Sequence, residues 1–195
     1  CILALELDKL KEMKTIIVPT DFSDGAFKAI EYAINFAKDF GGKLIICHAF
    51  ELPAQGISVM IDISAELEKN AKVELRKLES KIIKSLNPEG ISIEYIALLG
   101  DLNEVLKTLT EQYKADLVIM GTKGESDLAS KLFGTNTVSA IKRCKVSLLV
   151  IPSKASYKAI KNIAFAIVAN SGYGLPSNCC HRGSRRLWNF PLRKS

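Results

Sequence analysis

The stretch that decides the fold is "ADLVIMGTKGESDLASKLFGT", residues 115–135. It begins with a continuous apolar run, which predicts a central buried strand. Glycines follow in the pattern G-x2-G-x9-G-T, at Gly121, Gly124 and Gly134. The next residues, "TNTVSAIKRC", predict a short helix. A strand, a glycine-rich loop and a helix start in this order predict a site for phosphate groups.

Each glycine has its own predicted part in that site. Gly121, at the end of a strand, lets the backbone approach a ligand closely. Gly124 lets the loop curl so that successive N–H groups point inward. Gly134 opens the next helix, whose N-terminus attracts negative charge. The hydroxyl groups predicted to join these N–H groups belong to Ser126, Thr135 and Thr137. The alternative is that the glycines only serve turns.

The rest of the chain predicts an α/β fold. Four more segments read as strands, namely "KTIIVP" (14–19), "KLIICHAF" (43–50), "ISIEYIAL" (91–98) and "VSLLVIP" (146–152). Segments with helical periodicity lie between them, so the strands are parallel and the crossovers right-handed. The predicted fold is a doubly wound five-stranded parallel sheet with helices on both faces. In such sheets ligands bind beyond the carboxyl ends of the strands.

Composition and missing motifs narrow the function. The chain has 195 residues and a formal charge of +6. Residues 167–195 hold five basic residues and no acid, so the rest of the chain is nearly neutral. The net charge is therefore weak evidence for nucleic-acid binding. Five cysteines without a CxxC pair argue against a disulfide framework or a zinc site. No apolar run is long enough for a membrane span and no signal peptide is evident, which favours the cytoplasm. The chain also lacks the P-loop motif and, after its first strand, GxGxxG.

The linked segments "IIVPTDFS" (16–23), "CHAF" (47–50), "ADLVIMGTKG" (115–124) and the glycine signature resemble the universal stress protein family over roughly residues 13–152. The resemblance implies a strand order of 3-2-1-4-5, an ATP-binding cleft in many members, and dimers formed through the last strand, here 146–151. It implies that Pro19, Thr20 and Asp21 border the adenosine and that Ala49 lines the base pocket. The residues that it places around the phosphates are Gly121, Thr122, Lys123, Gly124, Ser126, Gly134, Thr135, Asn136 and Thr137.

Two acids lie inside the predicted phosphate loop. Glu125 and Asp127 oppose a polyphosphate unless Mg²⁺, or Lys123 and Lys131, offset their charge. Mg²⁺ is therefore expected to accompany the ATP that the resemblance implies.

Two other polar residues allow two interpretations each. Asp21 either contacts the nucleoside or only caps the following helix. His48 stands alone at a strand end, where it is more often structural than catalytic. Because no Ser-His-Asp or Cys-His arrangement and no general base for ATP hydrolysis is evident, a nucleotide-dependent stress-response regulator is favoured over an enzyme. A slow ATPase and a nucleotide-free interaction module remain the alternatives, and the protein partner stays unknown.

The two ends do not fit the domain. Residues 1–12 are expected to be a non-native or disordered leader, 13–152 the nucleotide-binding domain and 153–159 a linker. Residues 160–166, "IKNIAFA", resemble the first strand again, which suggests a truncated second copy and hence a tandem pseudo-dimer. The basic tail at 167–195 is expected to be disordered or out of frame.

Overall fold

The computed structural model describes residues 14–52, 60–122 and 134–158, and within this set only the backbone of residues 60–62. All of them belong to one compact unit, Cys1–Ile160. The predicted leader, most of the glycine loop, the start of the second copy and the basic tail lie outside the described residues.

The described elements alternate between strands and helices. The strands are β1 (Thr15–Pro19), β2 (Lys43–Phe50), β3 (Ile93–Leu99), β4 (Leu117–Gly121) and β5 (Ser147–Ile151). The helices are α1 (Asp24–Phe40), α2 (Met60–Leu86), α3 (Leu102–Gln112) and α4 (Thr135–Arg143). The strands form one parallel sheet in the order β3-β2-β1-β4-β5, which confirms the predicted fold and strand order.

Alternate residues of the central strands feed two cores, one on each face of the sheet. Ile16 and Val18 of β1 pack with α1 and α2 on one face. Ile17 of the same strand packs with α3 and α4 on the other face. All three side chains are fully buried. This period-two alternation is what a strand covered on both faces requires, and it fixes the strand ends from which the site is built.

The segment after β5 turns back over the sheet. Ala155 and Tyr157 pack against the core that holds α1. The Tyr157 hydroxyl donates to Asp39 Oδ2 over 2.5 Å, and its ring meets that of Tyr32 edge to face at 4.9 Å. The segment predicted as a linker is therefore docked on the domain up to residue 158.

Candidate functional site

An open cleft lies at the carboxyl edge of the sheet. One side, which we call the strand wall, consists of Pro19, Thr20, Asp21, His48 and Ala49 at the ends of β1 and β2. The other side, which we call the helix wall, consists of Gly121, Gly134, Thr135, Asn136 and Thr137 at the end of β4 and the start of α4. Ala26, Leu102 and Met120 complete the lining. The cleft thus lies where β1 and β4 diverge into helices on opposite faces, the place expected for a ligand.

Hydrogen bonds within the protein hold the strand wall in shape. The Thr20 N–H donates to the Cys47 carbonyl over 2.8 Å, and His48 Nδ1 lies 2.8 Å from the Thr20 carbonyl oxygen. The Thr20 hydroxyl accepts from the N–H of Phe22, a residue with a left-handed backbone at φ 65°. Such a backbone is uncommon for a residue other than glycine and persists where neighbouring contacts fix it. The turn after β1 is therefore tied to the end of β2 on both sides of Thr20.

Asp21 contacts the residue that begins α1. Its Oδ1 accepts from the Ser23 N–H at 3.1 Å and from the Ser23 hydroxyl at 2.6 Å. Ser23 in turn caps α1, because its Oγ accepts from the Ala26 N–H. Asp21 thus supports the helix cap, and it lines the cleft as well. Both predicted interpretations of Asp21 remain compatible with this geometry.

The helix wall presents an N-terminus whose N-cap residue, Gly134, has no side chain with which to cap it. Gly134 occupies the N-cap position of α4 with an extended backbone and makes no side-chain cap hydrogen bond. Its own N–H donates to the Thr122 carbonyl over 2.7 Å. The N–H groups of the first turn of any α-helix have no acceptor inside the helix. At the start of α4 these groups belong to residues that line the cleft, and together with the helix dipole they favour an anion there.

Thr137 holds the start of α4 against β4. Its hydroxyl donates to the Gly121 carbonyl over 3.0 Å and lies 3.3 Å from the Thr122 carbonyl, and the residue is buried. Its only hydroxyl proton is therefore used inside the protein, which leaves the oxygen as an acceptor. In this geometry the hydroxyl hydrogen of Thr137 is engaged with the Gly121 carbonyl, and the prediction that Thr137 surrounds the phosphates stays a prediction.

Gly121 has a structural reason to lack a side chain. A Cβ atom at this position would lie 2.8 Å from the carbonyl oxygen of Gly25 and 3.0 Å from its carbonyl carbon. These are backbone atoms at the start of α1, which cannot move aside as a flexible side chain would. The glycine thus lets α1 pack closely on β4. Gly121 therefore has a packing role at the edge of the cleft, and its predicted role beside a ligand stays a prediction.

Cys47 lies fully buried directly before the strand wall. Desolvation by burial raises the pKa of its thiol to about 12. Because the thiolate is the reactive form, this thiol is inert near neutral pH. Cys47 is thus a core thiol, whereas Cys144 is only half-buried.

Most of the predicted site residues come together. Those that line the cleft are Pro19, Thr20, Asp21, Ala49, Gly121, Gly134, Thr135, Asn136 and Thr137. Thr122 does not line it. Its N–H donates to the Ile151 carbonyl, and its own carbonyl accepts from the Gly134 N–H. Lys123, Gly124 and Ser126, with the acids Glu125 and Asp127, lie outside the described residues.

The sequence did not predict four lining residues, namely Ala26, His48, Leu102 and Met120. Three of them are apolar and carry no signal beyond their place next to a strand end. His48 could have been found, because it precedes Ala49 at the end of the same strand.

No group of three or more His, Cys, Asp or Glu side chains in the described ranges could hold a metal ion. None of the described helices combines the length and the apolar run that a bilayer crossing needs.

Known proteins are similar to this chain in sequence and in fold. Residues 12–152 match the model of the universal stress protein family. Universal stress protein MJ0531 of Methanocaldococcus jannaschii is 33% identical over 145 residues, which cover 71% of this chain and 81% of that protein. The solved structure of MJ0577, from the same organism, has a TM-score of 0.61 at 27% identity and covers 74% of this chain and 99% of its own. A universal stress protein in complex with cAMP has a TM-score of 0.55 at 24% identity, over 71% of this chain and 97% of its own. The glycine signature, the sheet order and these matches agree, and the chain belongs to the universal stress protein family.

Proposed function

We propose that this protein binds ATP in the cleft and acts in the cytoplasm as a nucleotide-dependent stress-response regulator that signals by binding. The observation that carries the proposal is the uncapped start of α4 at Gly134, on the helix wall of the cleft. At the N-cap of a helix, Ser, Thr, Asp and Asn supply a side-chain oxygen to the first-turn N–H groups, and glycine supplies none. These N–H groups suit a phosphate as their acceptor.

The two walls suit the two halves of a nucleotide. The helix wall offers backbone N–H groups and the positive end of a helix dipole. The strand wall offers side chains of mixed polarity, with Asp21 and His48 beside Pro19 and Ala49. A nucleoside fits a pocket that is partly apolar and has a few fixed polar groups. The universal stress protein solved with cAMP has the same fold, so a cyclic nucleotide is the second ligand to be tested.

Magnesium fits this proposal as a companion of ATP and not as a resident metal. Mg²⁺ is usually held by one or two carboxylates together with substrate phosphates and water. Among the described lining residues Asp21 supplies a carboxylate. Glu125 and Asp127 would supply others from the glycine loop. When bound, the ion would neutralise part of the charge between these acids and the phosphates.

Measurements of ATP binding and of ATP hydrolysis distinguish the three candidate functions. Calorimetry with ATP, adenosine and cAMP, each with and without Mg²⁺, is expected to show ATP as the tightest ligand. Phosphate release with Mg²⁺ at long incubation tests the slow ATPase. No ATP binding at millimolar ligand would refute the proposal and leave the nucleotide-free module. Chromatography of an acid extract of the purified protein shows independently whether a nucleotide travels with it.

We also propose a homodimer through the strand 146–151. β5 is a sheet edge with partly buried Leu148 and Val150. The Ile151 carbonyl accepts from the Thr122 N–H, so the backbone groups of Ile151 point to the side of β5 on which β4 lies. Because the backbone groups of successive residues point to opposite sides of a strand, those of Val150 face the open edge. Such an edge is usually covered or paired.

Replacing Val150 with proline tests the dimer without removing a hydrogen bond to β4. The expected result in sedimentation is a shift towards monomer at tens of micromolar protein. Leu149 is a poorer position for this test, because its side chain packs against the core. A wild-type protein that sediments only as monomer would rule out the dimer.

A further inference from the structure

The backbone of β3 is open along one side. β3 is an edge strand of the sheet and pairs with β2 on its other side. The Ser92 carbonyl accepts from the Leu44 N–H, and the Gly100 N–H donates to the Phe50 carbonyl. The backbone groups of the even-numbered residues therefore point to β2, and those of the odd-numbered residues point to the open side. The residues with open backbone groups are Ile93, Tyr95, Ala97 and Leu99. Among the described residues, none forms a backbone hydrogen bond with these groups.

β3 lacks the features that usually keep an edge strand from pairing, namely charges, prolines, bulges and short length. It has seven residues, none of which is proline, in unbroken register with β2. Its only charged residue is Glu94. The Glu94 carboxylate accepts from the Lys43 ammonium group and from the Tyr113 hydroxyl, so its charge is engaged within the domain. The open side of β3 is therefore suited to a further strand.

Two exposed apolar side chains lie on the elements that form this edge. Leu99, the last residue of β3, is 51% exposed, and Ile83 of α2 is 58% exposed. Ile83 follows Glu79 by four residues and so lies on the same side of α2. That side is near β3, because burial and then the charge of Glu79 raise the pKa of the Tyr95 hydroxyl to about 12. A strand added to the edge would thus cover apolar surface as well as open backbone groups.

We propose that the β3 edge is a second self-association surface, on which β3 of another copy of this chain pairs antiparallel about Ile96. In this register all seven residues pair, and the exposed Leu99 lies opposite Ile93 of the second copy. Glu94 lies opposite Leu98 of the second copy. A parallel pair in register would instead place two Glu94 side chains next to each other, and like charges in neighbouring strands are unfavourable. The strand is thus complementary to itself in the antiparallel arrangement.

This surface is distinct from the β5 edge, because β3 and β5 lie at opposite ends of the sheet order. Pairing at both edges would continue the sheet from one copy to the next. The protein is therefore expected to associate beyond the dimer as its concentration rises. Neither edge needs a ligand for this association, so the inference does not depend on ATP binding.

Sedimentation velocity of the full chain, at concentrations up to hundreds of micromolar, tests the proposal. Leu99→Lys places a charge on the open edge and should give smaller species than the wild type forms. Val73→Lys is the matched control, because Val73 is also an exposed apolar residue, at 38%. It lies two residues from the buried Ala71 and Leu75, on the side of α2 turned away from the core. This variant should sediment like the wild type.

Val150→Pro, which acts on the β5 edge, separates the two surfaces. This variant should still form a dimer at the highest concentrations, through β3. Adding Leu99→Lys to it should leave a monomer. Failure of the β5 dimer would leave the comparison intact, since the wild type would then be a dimer and Leu99→Lys a monomer.

Amide hydrogen exchange in the wild type locates the contact without any substitution. The N–H groups of Tyr95 and Ala97 should exchange more slowly as the protein concentration rises. Exchange at both residues that does not depend on concentration would overturn the inference, even if Leu99→Lys does not fold. Identical sedimentation of Leu99→Lys and Val73→Lys would overturn it as well.

Discussion

The two walls of the cleft use their polar groups in opposite ways. In the strand wall, the N–H, carbonyl and hydroxyl of Thr20 all have partners inside the protein. In the helix wall, Gly134 gives α4 no side-chain cap, and the first-turn N–H groups have no acceptor in the helix. The polar groups of Thr20 are used within the protein, whereas the start of α4 keeps N–H groups that have no acceptor in the helix. The difference supports the proposal that the helix wall attracts an anion and that the strand wall determines which ligand binds.

The largest effect is expected from Gly121→Ala, and it is an effect on the free energy of unfolding. Gly121→Ala places a Cβ atom 2.8 Å from the Gly25 carbonyl oxygen. Overpacking against backbone should lower the free energy of unfolding by about 2 to 3 kcal/mol. Urea denaturation followed by circular dichroism measures it. An unchanged midpoint would mean that α1 moves away from β4 at little cost, and the packing role of Gly121 would be wrong.

Gly134→Asp should separate binding from stability. The backbone at Gly134, with φ −67° and ψ 159°, is one that an N-cap aspartate adopts. The new carboxylate would accept the first-turn N–H groups and repel phosphate, so ATP binding should weaken by about 2 kcal/mol, the value of lost charge-assisted hydrogen bonds. Stability should rise by a few tenths of a kcal/mol, roughly the gain of a better cap. Calorimetry with ATP and adenosine, with a thermal melt, measures both.

Gly134→Asn is the matched control, since it caps α4 without adding charge and should cost less ATP affinity. Adenosine binding should be unchanged in both variants. Full ATP affinity in the aspartate variant would show that the ligand does not use the start of α4.

Asp21→Ala should have a smaller effect, and it addresses the strand wall. If Asp21 contacts the nucleoside, ATP and adenosine should both weaken by about 1 kcal/mol, the net value of a typical hydrogen bond. Asp21→Asn keeps an acceptor for the Ser23 N–H and hydroxyl. An asparagine variant that binds both ligands like the wild type would show that Asp21 only supports the cap of α1. Titration calorimetry at constant pH compares the three proteins.

The smallest effect is expected at Cys47, behind the strand wall. The pKa of this thiol is raised to about 12 by burial, so it remains protonated as pH rises from 7 to 9. Iodoacetamide at pH 8 should leave it unmodified in the native protein and modify it in urea, as read by peptide mass spectrometry. Cys144 is half-buried and serves as the internal control. Rapid native labelling of Cys47 would show that the strand wall opens.

The sheet could be predicted because its signals are local. Apolar runs marked the strands. The residues at the two ends of α1, Ser23 and Gly41, are also of types that favour those positions. The resemblance to the universal stress proteins added the strand order, which periodicity alone does not give. Nine predicted site residues line the cleft for the same reason, since they follow strand ends that the fold brings to one edge.

The remaining features depend on contacts between distant residues. The need for glycine at 121 arises from the backbone of Gly25, and only the packing of α1 on β4 brings the two together. The Thr137 hydroxyl looked available to a phosphate until the Gly121 carbonyl was found as its acceptor. His48 looked structural or catalytic, and the structure shows that one ring nitrogen has the first of these roles.

The packing of the segment after β5 against α1 suggests where a fluorescent label could be placed. β5 ends at the edge of the sheet that holds the cleft, and the following residues bring Tyr157 to Asp39, near the end of α1 at the opposite edge. A five-residue strand spans about 17 Å. A dye attached at the exposed Lys158 would thus sit far from the ligand and leave the cleft open to solution. Fluorescence anisotropy or energy transfer between two such dyes could then follow subunit association while nucleotide is titrated on the same sample.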